Sequence, residues 1–206
     1  MNFFPTDKKK LKARIGAYKR ALAKPNCDDG YGKRFLVGHM YLLLGDHDGA
    51  LQFYDWYTKK FPEDGVEPLN HVTWALASYR SGKIEDAQRK LKEAATRNPH
   101  IWDWLRGDSM DRWDIEYGCN FDEPEYLHEA PPEILELWTP EELNWVCEYS
   151  MTEEVVSLMA ELTSIRRELK GLRPGPRRTA VCERLFELQS SVSPKRQKGR
   201  KLSLVK

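Results

Sequence analysis

Five histidines, four cysteines and an acid-rich stretch are the side chains of this sequence with most capacity for chemistry. The histidines are His39, His47, His71, His100 and His128, and none stands in an H-E-x-x-H motif or another metal-binding spacing. His39 and His71 fall on the first helices of successive repeat units, so they read as surface or groove imidazoles without the third ligand a zinc site needs. Cys27, Cys119, Cys147 and Cys182 lie far apart with no C-x-x-C pair, and read as buried reduced thiols. Asp103, Asp108, Asp111, Asp114 and Glu116 lack the alternating carboxylates and central glycine of a calcium loop. They read as a solvated acidic face, with Trp102, Trp104, Trp113 and Ile115 turned inward. Glu133, Glu136, Glu141, Glu142 and Glu148 read as helix-start and surface charge. No glycine-rich phosphate loop and no G-x-S-x-G elbow occurs. The expectation is a protein with no catalytic residue, no metal and no cofactor.

The elements around these residues carry an internal repeat. Gly45 and Gly82, Ala50 and Ala87, and Pro62 and Pro99 are each 37 residues apart. Each landmark has a physical task. Glycine tolerates the left-handed conformation that ends a helix. A small alanine lets two antiparallel helices approach closely. Proline stops the second helix of each unit. Before each glycine lies an apolar helix, with Phe35, Val37, Met40, Tyr41 and Leu44 in one and Val72, Trp74, Ala75, Leu76 and Tyr79 in the other. After each lies an amphipathic one, with Leu51, Tyr54, Tyr57 and Phe61, then Ile84, Ala87, Leu91, Ala94 and Ala95. The spacing of three and four is helical.

This pattern resembles the tetratricopeptide repeat (TPR), a helix–turn–helix unit. Residues 31–64 match through Gly38, Tyr41, Gly45, Ala50, Tyr54 and Pro62; residues 68–101 match through Ala75, Gly82, Ala87, Leu91 and Pro99. The second unit departs at Ser78, where an aromatic is usual, and the spacing puts extra residues in Glu63–Glu67. The resemblance implies an all-α, TPR-like array of antiparallel helix hairpins, a short right-handed superhelix with extra flanking and C-terminal helices. Two units fall short of the usual three, so the flanks must cap them.

Four regions follow: a basic N-terminal helix in residues 1–30, the repeats in 31–101, an acidic segment with C-terminal helices in 102–192, and a basic tail in 193–206 read as disordered. Leu11, Ile15, Tyr18 and Leu22 mark an amphipathic helix over 7–24. Thr139-Pro140-Glu141-Glu142 is a capping-box start, Thr152 opens a further helix ended at Gly171, and a last helix spans about 177–190. Residues 98–149 carry a second resemblance, through Asn98-Pro99-His100-Ile101, Leu105-Arg106-Gly107, Tyr126 and Trp138-Thr139-Pro140-Glu141-Glu142-Leu143-Asn144-Trp145-Val146. This is similar to the segment after the repeats in some bacterial TPR proteins and in the suppressor-of-tumorigenicity-7-like family, and it implies architecture rather than activity.

The chain has 206 residues, 32% of them charged, and a net charge of +1. That balance hides blocks: residues 101–161 carry a net −15 and residues 162–206 a net +10. No run of 18 apolar residues is present and the first residues lack the pattern of a secretory signal, so cytoplasmic residence is expected. The expected function is a non-catalytic adaptor or scaffold. It would bind a partner peptide or helix on the inner face of the array through Phe35, His39, Leu42, Val72, Leu76, Tyr79 and Arg80. Phe35, His39 and Thr73 stand where a carboxylate clamp would need Lys and Asn, which disfavours a chaperone-type clamp. The chain's own C-terminal helices are the competing occupant of that groove. The alternative is a nucleic-acid-associated factor, using the N-terminal helix and Lys195, Arg196, Lys198, Arg200 and Lys201.

Overall fold

Local signals decide most of the helix ends. Asp7 and Asp46 accept hydrogen bonds from the backbone N–H three residues on, starting α1 (Lys8–Ala23) and α3 (His47–Lys60). Gly45 and Gly82 adopt φ of 75° and 72° and so turn the chain between paired helices. They separate α2 (Lys33–Leu43) from α3, and α4 (Pro68–Arg80) from α5 (Ile84–Arg97). The computed structural model describes residues 3–24, 29, 32–62 and 66–193. Among them are eleven α-helices, a 3-10 turn at Asn120–Asp122 and no strand. Cys27, Glu63, Asp64, Gly65 and the tail from Pro194, with its five candidate nucleic-acid contacts, lie outside the described residues.

The two hairpins pack tightly because their facing residues are small. Ala50 and Ala87 are fully buried, as are Ala75 and Ala77 of α4 and Ala94 and Ala95 of α5. Gly38 has the tightest contact: a Cβ there would lie 2.1 Å from the Tyr54 Oη. α2 packs on α3, α3 on α4, and α2 also touches α4, so the first helices of the two hairpins share one face. α1 covers the α2 side with Leu11, Ile15 and Leu22.

The second hairpin is followed by the short α6 (Ile101–Arg106), ended by Gly107 at φ 73°. The chain then runs through an irregular stretch to α7 (Pro124–His128) and α8 (Pro132–Glu136). α9 (Pro140–Ser150) starts with both halves of the capping box, Thr139 and Glu142, and packs on α6. α10 (Glu153–Lys170) and α11 (Pro176–Ser191) form a last hairpin against α5. They enclose a small second core of Leu158, Leu162, Ile165, Leu169, Val181 and Leu188.

The opposed charge blocks meet where α10 and α11 face residues 114–122. Arg166 pairs with Asp122, Arg178 with Glu116 and Lys170 with Asp114. Arg166 is 2% exposed and also donates to the carbonyls of Thr96, Arg97 and Glu116. It thereby satisfies the last carbonyls of α5. The acidic residues are thus solvated and partly paired: Asp108, Asp111 and Asp114 are exposed, while Asp103, Asp114 and Glu116 also meet cations. The thiols also depart from expectation: Cys119 and Cys182 are exposed and Cys147 is half-buried. Cys119 sits on a polar turn against Asp122, and Cys182 lies on the exposed side of α11.

Candidate functional site

The shared face of α2 and α4 holds all seven residues expected to bind a partner, and the chain itself covers most of it. The cover is the segment from α7 to the start of α9. Its ties begin at Tyr126, whose hydroxyl donates to Glu67. At the other end Arg80 donates to both oxygens of Glu142, at 2.7 and 2.8 Å, and to the carbonyl of Leu137 at 2.6 Å. Tyr79 packs on Trp145 with ring centroids 4.4 Å apart, and Trp145 stacks on Tyr149. The N-terminal residues add Phe4, whose ring meets the edge of His39, and the Phe3 N–H donates to Glu133 at 2.7 Å.

Leu42, Val72 and Leu76 are consequently core residues, each no more than 2% exposed, and form no docking surface. Tyr79 and Arg80 hold the cover in place. Phe35 and His39 remain at the open end, where a cavity of about 410 Å³ lies between α2 and the turn before α8. Its walls are mainly Phe35, Leu36, Leu69, Pro131, Pro132 and Ile134. Glu67 and Glu129 line it too, with no Lys or Arg.

Burial changes the two titratable groups at this cavity. His39 is 2% exposed, and its pKa is driven down to about 3 by the loss of water around the ring. It is a neutral buried imidazole, not a surface one, and its Nδ1 has no hydrogen-bond partner among the described residues. Glu67 is pushed up to about 7 by burial, with the Asn70 amide at 2.6 Å opposing the rise. Sequence reasoning missed Glu67, because it sits in the loop before α4 and Tyr126, which donates to it, lies 59 residues away.

His71 is also buried, in a charged cluster between α4 and α5 that the sequence reading did not single out. Glu93 accepts from Lys90 at 2.7 Å and from Arg89 at 3.0 Å. His71 Nδ1 lies 3.1 Å from the same carboxylate without hydrogen-bond alignment. Lys90 stands over the Trp74 ring, which stacks on Tyr54, and burial lowers the Lys90 pKa. The available signal was the position of Lys90 and Glu93 beside Leu91 and Ala94 on the apolar side of α5. None of these residues lines the cavity beside Phe35, and the cluster braces the hairpin.

Chemically the cavity offers apolar walls, one imidazole and two carboxyl groups. It contains no hydroxyl, thiol or amine nucleophile. No group of three or more potential metal ligands converges among the described residues. No helix is long and apolar enough to cross a membrane among those residues. No family model, curated protein or solved structure matches the chain.

Proposed function

We propose that this protein is a non-catalytic interaction module, a TPR-like helical scaffold that takes an apolar segment of a partner protein at the open end of its inner face. The cavity beside Phe35 and His39 carries this reading. It has apolar walls, a few polar atoms for orientation, and the size of one or two large side chains. The expected seven-residue surface is thereby narrowed to Phe35 and His39, joined by Leu36, Leu69 and the Pro131-Pro132 turn. A cytoplasmic adaptor is the setting that fits it.

A photo-crosslinking side chain at position 36, with a second at exposed Phe186 as control, tests the reading. The expected result is a protein captured from position 36 only, and lost in Phe35→Glu at unchanged helical circular dichroism. Equal capture from both positions, or capture that survives Phe35→Glu, overturns it.

Lys8, Lys9, Lys10 and Lys12 lie exposed on α1, which supports the second reading of nucleic-acid association. Anisotropy of labelled RNA and DNA would then fall steeply with salt. Replacing Lys195, Arg196, Lys198, Arg200 and Lys201 with Gln would weaken it. No binding at low salt removes this reading.

A further inference from the structure

The chain already lays a non-helical, aromatic segment on the face where the docking site is placed. Residues 3–7 precede α1 outside any helix. Within them Phe4 is 4% exposed, meets His39 edge-on at 6.2 Å between centroids, and belongs to the main core. Phe3 is 54% exposed, packs on Phe4, and stands at the lip of the cavity without filling it. One hydrogen bond joins the arm to the cover, from the Phe3 N–H to Glu133 Oε1. The arm therefore uses an aromatic anchor and a backbone donor aimed at a carboxylate.

Two polar atoms beside the arm are buried without partners among the described residues: His39 Nδ1 and Glu133 Oε2. An unpaired buried carboxylate oxygen favours a further N–H or cationic donor. The cavity lining points the same way, since its charged members are Glu67 and Glu129 alone. The resident arm thus leaves unsatisfied what a fuller ligand would supply: a second large apolar group in the open cavity and a cation for the acidic rim.

We propose that Phe3-Phe4-Pro5 is the protein's own occupant of its interaction face, and that the partner is a non-helical segment with a similar aromatic anchor, flanked by Lys or Arg, which binds by displacing it. This rests on the docking reading above. The arm competes within the same molecule. The affinity seen in solution is the intrinsic affinity reduced by the fraction of molecules whose arm is out.

The test uses the full chain and a defined probe, acetyl-Lys-Phe-Phe-Pro-Lys-amide, with acetyl-Lys-Ser-Ser-Pro-Lys-amide as control. Phe4→Ala should lower the Tm, and the aromatic probe should restore it while the control does not. The probe should bind Phe4→Ala at least about ten-fold more tightly than the unaltered protein, because the competing arm is gone. Glu129→Gln supplies a second variant if Phe4→Ala fails to fold. It removes a charge from the cavity rim without touching the hydrogen bond that holds the arm, and probe binding should fall several-fold with a weaker salt dependence.

Equal binding to the unaltered and Phe4→Ala proteins, or binding to neither, overturns the proposal. So does a Glu129→Gln protein that binds the probe unchanged. A partner crosslinked from position 36, with no rescue by the probe, leaves the docking reading in place and removes this one.

Discussion

Arg80 and Glu142 are 62 residues apart and face each other as a bidentate pair, Nε to Oε1 at 2.7 Å and Nη2 to Oε2 at 2.8 Å. Glu142 is at the same time the capping-box glutamate of α9, with Oε2 accepting from the Thr139 N–H. One carboxylate therefore fixes both where α9 begins and where it sits on α4. Removing Arg80 alone leaves that carboxylate largely buried without its cation. Arg80→Ala should cost about 3–5 kcal/mol in urea denaturation, and Arg80→Lys should recover only part, since a lysine cannot make the paired bonds. A loss below about 0.5 kcal/mol, the scale of an exposed pair, would contradict this account.

Two glycines predict opposite outcomes for one substitution. At Gly38 an added methyl meets the Tyr54 Oη at 2.1 Å and Cζ at 2.3 Å, while the Tyr54 hydroxyl is tied to Thr73 at 2.6 Å. The ring cannot step aside freely, so Gly38→Ala should lower stability by about 1–3 kcal/mol. At Gly16, inside α1, the nearest group is the flexible end of Arg20 at 3.3 Å. Gly16→Ala should raise stability by about 0.5–1 kcal/mol through helix propensity. Thermal unfolding of the two variants reads the contrast directly, and a Gly38→Ala protein as stable as the parent would refute the close crossing.

Arg166 ties α10 to the end of α5 and to the 116–122 stretch. Arg166→Ala removes one donor each from the Thr96 and Arg97 carbonyls and the Asp122 carboxylate, with Gln189 still donating to Thr96 and Gly118 to Asp122. Hydrogen exchange should rise first in residues 116–123 and in the last turn of α5, with α2 and α3 unaffected. Uniform loss of protection would mean that Arg166 acts through global stability alone.

Acid should weaken the fold. Burial holds His39 down to about 3 and His100 to about 4, against 6.5 for a free imidazole. Between those values and 6.5 the unfolded chain binds protons that the folded one refuses. Each group therefore removes stability as pH falls, at about 1.4 kcal/mol per pH unit. Glu67, raised to about 7 from 4.5, works the other way. Its contribution is complete below 4.5 and is lost as pH rises through 7. From pH 6.5 to 4.5 the two histidines outweigh the one carboxyl. Urea titrations should give falling stability on acidification, with a shallower slope in His39→Gln. A flat profile would place water at both rings.

The helices and their pairing into hairpins were legible because their causes are local. A glycine that can turn left-handed, an aspartate or threonine that can cap, and an apolar residue every three or four positions act within a few residues of themselves. The capping box at Thr139, the turns at Gly45 and Gly82 and the apolar face of α10 all follow from such signals. What lies over a helix face is decided elsewhere in the chain. Leu42, Val72 and Leu76 have the same spacing whether they floor an open groove or sit in a core, and only the cover latched by Glu142 and Tyr126 makes them core. His39 and Glu67 titrate far from their free values for the same reason, since burial is a property of what packs on a residue. Arg166 lies one position from Ile165 and is nearly as buried, because carbonyls and a carboxylate 44 to 70 residues away converge on it. Hydrophobic period records how a helix turns, whereas desolvation and charge pairing are settled when distant segments meet.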